Sequence, residues 1–427
     1  MENKKPYLIA LAATIINSYD YALFGLTAAR LSKEFFPGNQ EIDALFKYFI
    51  VYASTLVIRP FASLFFGMIG DKYGRATVLR MGTVGIALPV FAIAMIPPYS
   101  VMGYLSTLLF VTCRILIITF LAGEADGIRI YIYEKLNDRK KFFGSGLVTG
   151  CSQGGSLIAA FAAWFSGLDF LPDYAWRFNF FIGGMFGLII LYLRESFQET
   201  EEFLEYRREE KLELDPKISL KHIVKDNISS LSSIIKDNFT SFVRSTLIQG
   251  AIGGIYHFHI IFYSLYAVTI LKYPHEDYIE FIRLLTIFAY MLSAIFSGFL
   301  HHKFNPKIIA SSALVLCIIL SIINMRNIAN LKFDAWPIIL IGALTPLHTT
   351  ALFVFLKQQF KTGVKYRLFG FTHSLGSVLI SSTTPIVAMK IWDLSHITWL
   401  PILFLITLMA FLLWQLQTKD FGVEIEK

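Results

Sequence analysis

Residues 59–80 read RPFASLFFGMIGDKYGRATVLR. An apolar run is broken there by glycine, an acid and a cluster of bases. The run over 49–70 is long enough to cross a bilayer, which takes about 20 apolar residues. It stops at Asp71, and Lys72, Arg75 and Arg80 crowd a very short polar turn before the next apolar run begins. Bases clustered in a short loop mark the cytoplasmic side. Gly67, Asp71, Gly74 and Arg75 spell G-x-x-x-D-x-x-G-R. The glycines let two helices turn tightly and approach each other. The Asp either caps a neighbouring helix N-terminus or pairs with a base across a bundle. The bland reading is an ordinary cytoplasmic turn that fixes topology.

Composition agrees with a membrane chain. Of 427 residues, 55% are hydrophobic and 16% charged, where a soluble domain has about 25% charged. The net charge of +7 sits in short loops between apolar runs, so it reads as topology and excludes nucleic acid as a partner. Cys113, Cys151 and Cys317 fall in apolar runs without C-x-x-C or His spacing, so they read as packing residues, with no metal, no cofactor and no disulfide framework. No P-loop, nucleophile elbow or H-E-x-x-H occurs, which argues against an enzyme or an ATP-driven pump. Lys4 and Lys5 precede an apolar run over 7–29. That run is too long for a signal h-region and reads as a retained first span with a cytoplasmic N-terminus.

Further apolar runs lie at 78–97, 103–121, 145–165, 178–193, 242–271, 281–300, 308–325, 336–356, 368–391 and 398–416. With the first two they make about twelve spans. The expected fold class is therefore all-α integral membrane. With the N-terminus inside, the inside loops collect Lys135, Arg139, Lys140, Lys141, Lys303, Lys307, Lys357, Lys361, Lys365 and Arg367, while outside loops are sparser and balanced. This bias places both termini in the cytoplasm. A long polar segment, 194–238, divides the chain into an N-terminal bundle over 1–193 and a C-terminal bundle over 239–427. Its early part has helix-compatible charge spacing and reads as a solvated linker helix. Halves imply a repeat. In the second half Gly298, His302 and Asn305 align with Gly67, Asp71 and Gly74, a degenerate copy.

The glycine-acid loop resembles the signature between the second and third helices of the major facilitator superfamily of secondary transporters. Further stretches resemble its metabolite:proton symporter family: Tyr19-Asp20-Tyr21 with Phe24-Gly25, Arg59-Pro60, Arg114 with Gly123-Glu124, Ala175-Trp176-Arg177, Glu199-Thr200 with Phe203, the run 360–366 and Thr384-Pro385. The resemblance implies twelve transmembrane helices in two pseudo-symmetric six-helix bundles. It also implies a monomer in the bacterial inner membrane that imports a zwitterionic osmolyte or a carboxylate by proton symport and alternating access. Two other readings stay open. One is proton-coupled efflux, against which the fifth run, GSGLVTGCSQGGSLIAAFAAWF, has glycines but no proline. The other is a sensor that kept the fold and lost transport. The chain departs from the family in the fourth run, where Ile117, Ile118 and Phe120 replace a glycine-rich surface and Asp126 is an added acid; close approach by that helix is therefore not expected.

Ionisable groups inside a span cost several kcal/mol and need a partner or a purpose. Asp20 and Arg59 fall roughly 20 and 18 Å from the cytoplasmic ends of their helices and Arg114 about ten residues above Glu124, so all three reach a similar depth. One acid and two bases are expected to meet near the bilayer midplane. Asp20 would carry the proton and an Arg the substrate carboxylate, or the charges form a fixed structural ion pair that holds the helices together. Asn17, Asp20, Phe24 and Thr27 share a helix face, lining either a cavity or a packing seam. Glu124 and Asp126, at the expected inner mouth of the fourth span, read as a proton exit relay or as partners of Arg129. Asp71, Arg75, Glu134 and Arg139 resemble the superfamily's inner gate network. His257, His259, His348 and His373 read as coupling groups or as simple hydrogen-bonding residues.

Overall fold

The computed structural model describes residues 5–38, 41–136, 138–168, 170–195, 197–209, 231–330, 332–397 and 399–418. The described chain is helical, without a strand. Eleven of its helices are long and apolar enough to cross a membrane. A further helix, Asp138–Phe165, stands fifth in order and is diluted by glycine, serine and its basic start. Together they make the twelve-helix architecture.

Several helices outrun their apolar stretches. The second span is Glu41–Tyr73 and the fourth is Tyr104–Lys135, against the expected 49–70 and 103–121. The charged extensions stay helical because their polar groups find partners in neighbouring helices. The first span runs Lys5–Leu26, breaks at Thr27 and resumes as Ala28–Phe35. The seventh span, Phe239–His257, continues through two π turns, Phe258–Phe262 and Tyr266–Ile270, and the eleventh, Thr362–Gly376, through a third at Ser377–Ser381. The central polar segment contributes a helix at Glu201–Glu209. It is only partly solvated, because Phe203 and Arg207 are buried. Residues 210–230 of that segment lie outside the described residues.

By its contacts the chain forms two compact units. The first comprises Met1–Lys135, Gly154–Lys236 and Lys361–Phe371; the second comprises Leu136–Gln153, Asp237–Phe360 and Thr372–Lys427. In the first unit the third span, Arg75–Met95, packs on the fourth and on the sixth, Trp176–Arg194. Its apolar core is aromatic. Phe35 stacks on Phe110 at 4.7 Å, Phe24 meets Phe180 edge-on at 5.3 Å and Trp176 meets Phe35 at 5.8 Å, so rigid rings fill the space between four helices. The fourth span does approach its neighbours closely, contrary to expectation. A Cβ on Gly123 would stand 2.5 Å from the Phe66 side chain, so glycine on this helix supplies the space that the sequence seemed to lack.

In the second unit the tenth span, Ala335–Gln358, packs on the eighth, Glu276–Lys303, and on the ninth, Pro306–Ala329. The start of the fifth span crosses the eighth backbone to backbone. A Cβ on Gly298, the counterpart of Gly67, would fall 2.7 Å from Phe143 Cα.

Candidate functional site

Two buried polar clusters occupy the first unit. The deeper one crosses the first, third, fourth and sixth spans. Glu124 Oε1 accepts from Asn17 Nδ2 at 3.0 Å and pairs with Arg194 Nη1 at 2.7 Å. Arg194 is wholly buried and also donates to Leu79 O at 2.6 Å and to Thr83 Oγ1. Glycine at position 82 makes the room, since a Cβ there would lie 2.6 Å from Glu124 Oε2. One turn above Asn17, Asp20 is 2% exposed, and its Oδ1 makes no hydrogen bond among the described residues. A Cβ on Gly183 of the sixth span would stand 2.3 Å from that oxygen. Higher still, the Arg114 guanidinium lies over the Phe24 ring at 4.1 Å and the Tyr21 ring at 5.8 Å, a cation held by ring faces.

The expected residues are thus brought together only in part. Asn17, Asp20, Phe24, Arg114 and Glu124 share one buried column. Asn17, Asp20, Phe24 and Thr27 are all buried, so their common face packs against protein. Arg59 is half-buried beside Pro60 and has no ion pair or hydrogen bond among the described residues. Glu124 is not at an inner mouth: the fourth helix continues to Lys135, leaving Glu124 about 16 Å inside its end. Of the two acids expected as partners of Arg129, Asp126 pairs with it at 3.2 Å. Arg194 escaped the sequence reading because a base directly after an apolar run looks like a stop signal.

The second cluster lies where helices two and four end and helix three begins, near the start of the eleventh. Arg75 donates through Nε and Nη2 to the two Glu134 oxygens at 3.1 and 3.0 Å, through Nη1 to Gly70 O at 2.8 Å, and through Nη2 to Thr362 O at 2.8 Å. Asp71 Oδ1 reaches Arg75 at 3.4 Å. Below the guanidinium lies the Phe203 ring, 4.7 Å away. The Arg75, Asp71 and Glu134 side chains are no more than 1% exposed, so this is a desolvated network with geometry to match, unlike a solvated surface pair. Arg139, expected in the same network, has its side chain outside the described residues.

Two carboxylates there bind helix N-termini. Asp71 accepts the Tyr366 and Arg367 amides, each at 3.0 Å. Glu199 accepts the Arg75 amide at 3.0 Å and the Ala76 amide at 3.1 Å, satisfying two orphan donors at the start of the third span. Gly74 makes this cap reachable. Its φ is +104°, and a Cβ would fall 2.1 Å from Glu199 Oε2. Burial pushes the Glu199 carboxyl above the usual glutamate range, against the opposing pull of its amide donors and Arg75. Thr200 Oγ1 donates to Glu134 at 2.7 Å, and Lys365 bonds Glu202 and stands 3.7 Å from Glu134. The degenerate copy works differently. Asn305, at φ −61°, caps its own helix by accepting the Lys307 amide, with Pro306 in the first turn.

A profile of the Major Facilitator Superfamily matches residues 10–382. The chain belongs to the Major Facilitator Superfamily. Within it, the chain is 28% identical over 94% of its length, and 80% of the relative's, to the proline/betaine transporter of Escherichia coli (strain K12). It is 26% identical to the glycine betaine/proline/ectoine/pipecolic acid transporter OusA of Dickeya dadantii (strain 3937), over 95% and 81%. Among solved structures, the proton:xylose symporter XylE superposes with a TM-score of 0.73 at 14% identity, over 96% and 95% of the two chains. The FucP transporter superposes at 0.71 and 11% identity, over 97% and 99%. These matches set the fold of this major facilitator chain and agree with the absence of enzyme motifs.

The four candidate histidines of this superfamily member lie in the second unit. His257 Nδ1 contacts Ser381 O at 2.7 Å, and His259 lies between Ile255 O at 2.9 Å and Ser321 Oγ at 3.2 Å. His373 packs edge-on to Phe353 at 6.2 Å. His348 is fully buried, and neither ring nitrogen makes a hydrogen bond among the described residues.

Proposed function

We propose that this protein is a secondary active transporter that imports a small polar metabolite, a zwitterionic osmolyte or a carboxylate, by proton symport and alternating access. The relatives named for proline and betaine transport support the substrate class. One observation carries the coupling: Asp20 is buried with an oxygen that has no hydrogen-bond partner among the described residues, while its neighbour Glu124, which also has one such oxygen, is paired with Arg194 through the other. An uncompensated carboxylate is costly inside a membrane. Asp20 is therefore the acid that takes up and gives up a proton in the cycle, and Glu124–Arg194 is the fixed pair beneath it. Arg114, above Asp20, receives the substrate carboxylate. The Asp71–Arg75–Glu134 cluster acts as the cytoplasmic gate, closing on Asp71's hold on the eleventh span and reopening as the halves 1–193 and 239–427 rock.

The protein acts as a monomer in a bacterial inner membrane with both termini cytoplasmic, as the distribution of bases supports. Uptake of a labelled panel of zwitterions and carboxylates by proteoliposomes, with and without an inward proton gradient, tests the reading. Accumulation only under the gradient is expected. Gradient-independent equilibration would make the protein a facilitator, and silence across the panel would overturn transport of this class.

A further inference from the structure

Tyr366 is the fifth residue of the eleventh span, between Lys365 and Arg367, and it is 1% exposed. It fills a slot cut in two other helices. A Cβ on Gly70 of the second span would stand 2.6 Å from the Tyr366 ring. On Gly127 of the fourth span a Cβ would stand 1.8 Å from Tyr366 Oη. The hydroxyl donates to Gly123 O at 2.9 Å, next to Glu124 in sequence. One turn on, a Cβ at Gly370 would meet Ser63 Oγ at 2.5 Å and Asp126 Oδ2 at 3.7 Å. Tyr366 and Gly370 lie on one helix face. It covers Ser63 and Gly70 of the second span and Gly123, Asp126 and Gly127 of the fourth, each set on a single helix face, while Gly67 meets the adjacent Arg367 backbone. Small residues make the slot, and an aromatic ring with a polar tip fills it and satisfies a backbone carbonyl.

We propose that Tyr366 is the plug on the cytoplasmic exit of the proton path, its ring sealing the way to Glu124 and Asp20 and its hydroxyl latching the seal to Gly123. Tyr366 touches neither substrate nor proton; it positions the closed gate. Asp71 fixes the ring by holding the Tyr366 and Arg367 amides, so one carboxylate couples the signature loop to the plug. The inference rests on the symport reading for the proton. It rests on geometry alone for the seal.

The test compares wild type with Tyr366→Phe, Tyr366→Ala, Gly127→Ala and the double variant Gly127→Ala/Tyr366→Phe, as the full chain in nanodiscs and proteoliposomes. Hydrogen exchange of the peptide over 120–130 reads the seal whether or not transport is coupled to protons. Dye-reported proton leak reads the path. Tyr366→Phe keeps the ring and loses one buried hydrogen bond, so exchange should quicken about fivefold. Tyr366→Ala and Gly127→Ala should exceed that and leak protons. The double variant should exchange and leak less than Gly127→Ala, because removing the hydroxyl removes the nearest collision and leaves Cζ at 2.7 Å. The leak separates the roles: a merely structural tyrosine predicts the same change in exchange with no proton leak. Exchange and leak at wild-type levels in both Tyr366→Ala and Gly127→Ala, or a double variant no tighter than Gly127→Ala, would overturn the plug. Faster exchange without any leak would overturn its place on the proton path.

Discussion

Arg194 and Glu124 form a pair with no exposed atoms to spare: side-chain exposure is 0% and 1%. Removing one partner of such a pair leaves the other charge buried and costs about 3–5 kcal/mol, whereas replacing both with apolar groups of similar volume is often neutral. Arg194→Leu alone should therefore lower the melting temperature in detergent sharply, and Arg194→Met with Glu124→Leu should recover most of the loss. If the pair is only the fixed support beneath Asp20, the recovered double variant also transports. Gly183→Ala pushes a methyl group onto Asp20 Oδ1 and should impair accumulation while leaving expression intact, as uptake and immunoblotting would report. Glu199 gives a pH signature. Its folded carboxyl holds a proton more tightly than an unfolded glutamate because burial outweighs its donors. Its contribution to stability is therefore greatest below the ordinary glutamate range and falls as pH rises through the raised value. Glu199→Gln does not titrate, so the melting temperature of wild type relative to the variant should decline with rising pH over that window. A difference flat in pH would contradict the assignment.

At the scale of elements, the third span begins where it does because a remote carboxylate caps it. Gly74 serves that cap twice, by a backbone conformation closed to other residues and by leaving room for Glu199. Gly74→Ala should cost about 1–3 kcal/mol from strain alone, with cap loss in addition, measured as a lower denaturation midpoint. The corresponding Asn305→Ala removes only a local cap and should cost about 1 kcal/mol. Element existence was legible in the sequence, since hydropathy reports which stretches a bilayer accepts. Element ends were not. The fourth helix runs on to Lys135 because Glu134, Asp126 and Arg129 find partners that no hydropathy window reveals. The G-x-x-x-D-x-x-G-R turn announced its own Asp71 and Arg75, but the partners that make it a lock, Glu199, Glu202, Lys365 and Tyr366, come from distant segments. Glu199-Thr200 and the run through Tyr366 stood out only as resemblances, without a stated contact.

At the scale of the whole molecule, the fourth span carries both the column at Glu124 and the lock at Glu134, about 15 Å apart along one rigid helix. In the proposed cycle, this helix links the column around Asp20 to the Arg75–Glu134 clasp. Breaking the clasp with Glu134→Gln should weaken gradient-driven accumulation and spare equilibrating exchange, since the gate then closes less completely on Arg75. The central column was legible to the extent that an intramembrane acid demands explanation: Asp20 and Arg114 were found that way. Arg59 was drawn in by equal depth, which says nothing of the direction in which a side chain leaves its helix. Arg194 was lost because position in the chain hid its burial.

The most direct measurement is transport by Asp20→Asn in proteoliposomes, read two ways with the same labelled substrate. Exchange against internal unlabelled substrate should persist, because the binding column and the gate remain. Uphill accumulation under an inward proton gradient should vanish, because the acid that carries the proton is gone. Accumulation by Asp20→Asn that still follows the proton gradient as wild type does would contradict the assignment of the coupling proton to Asp20.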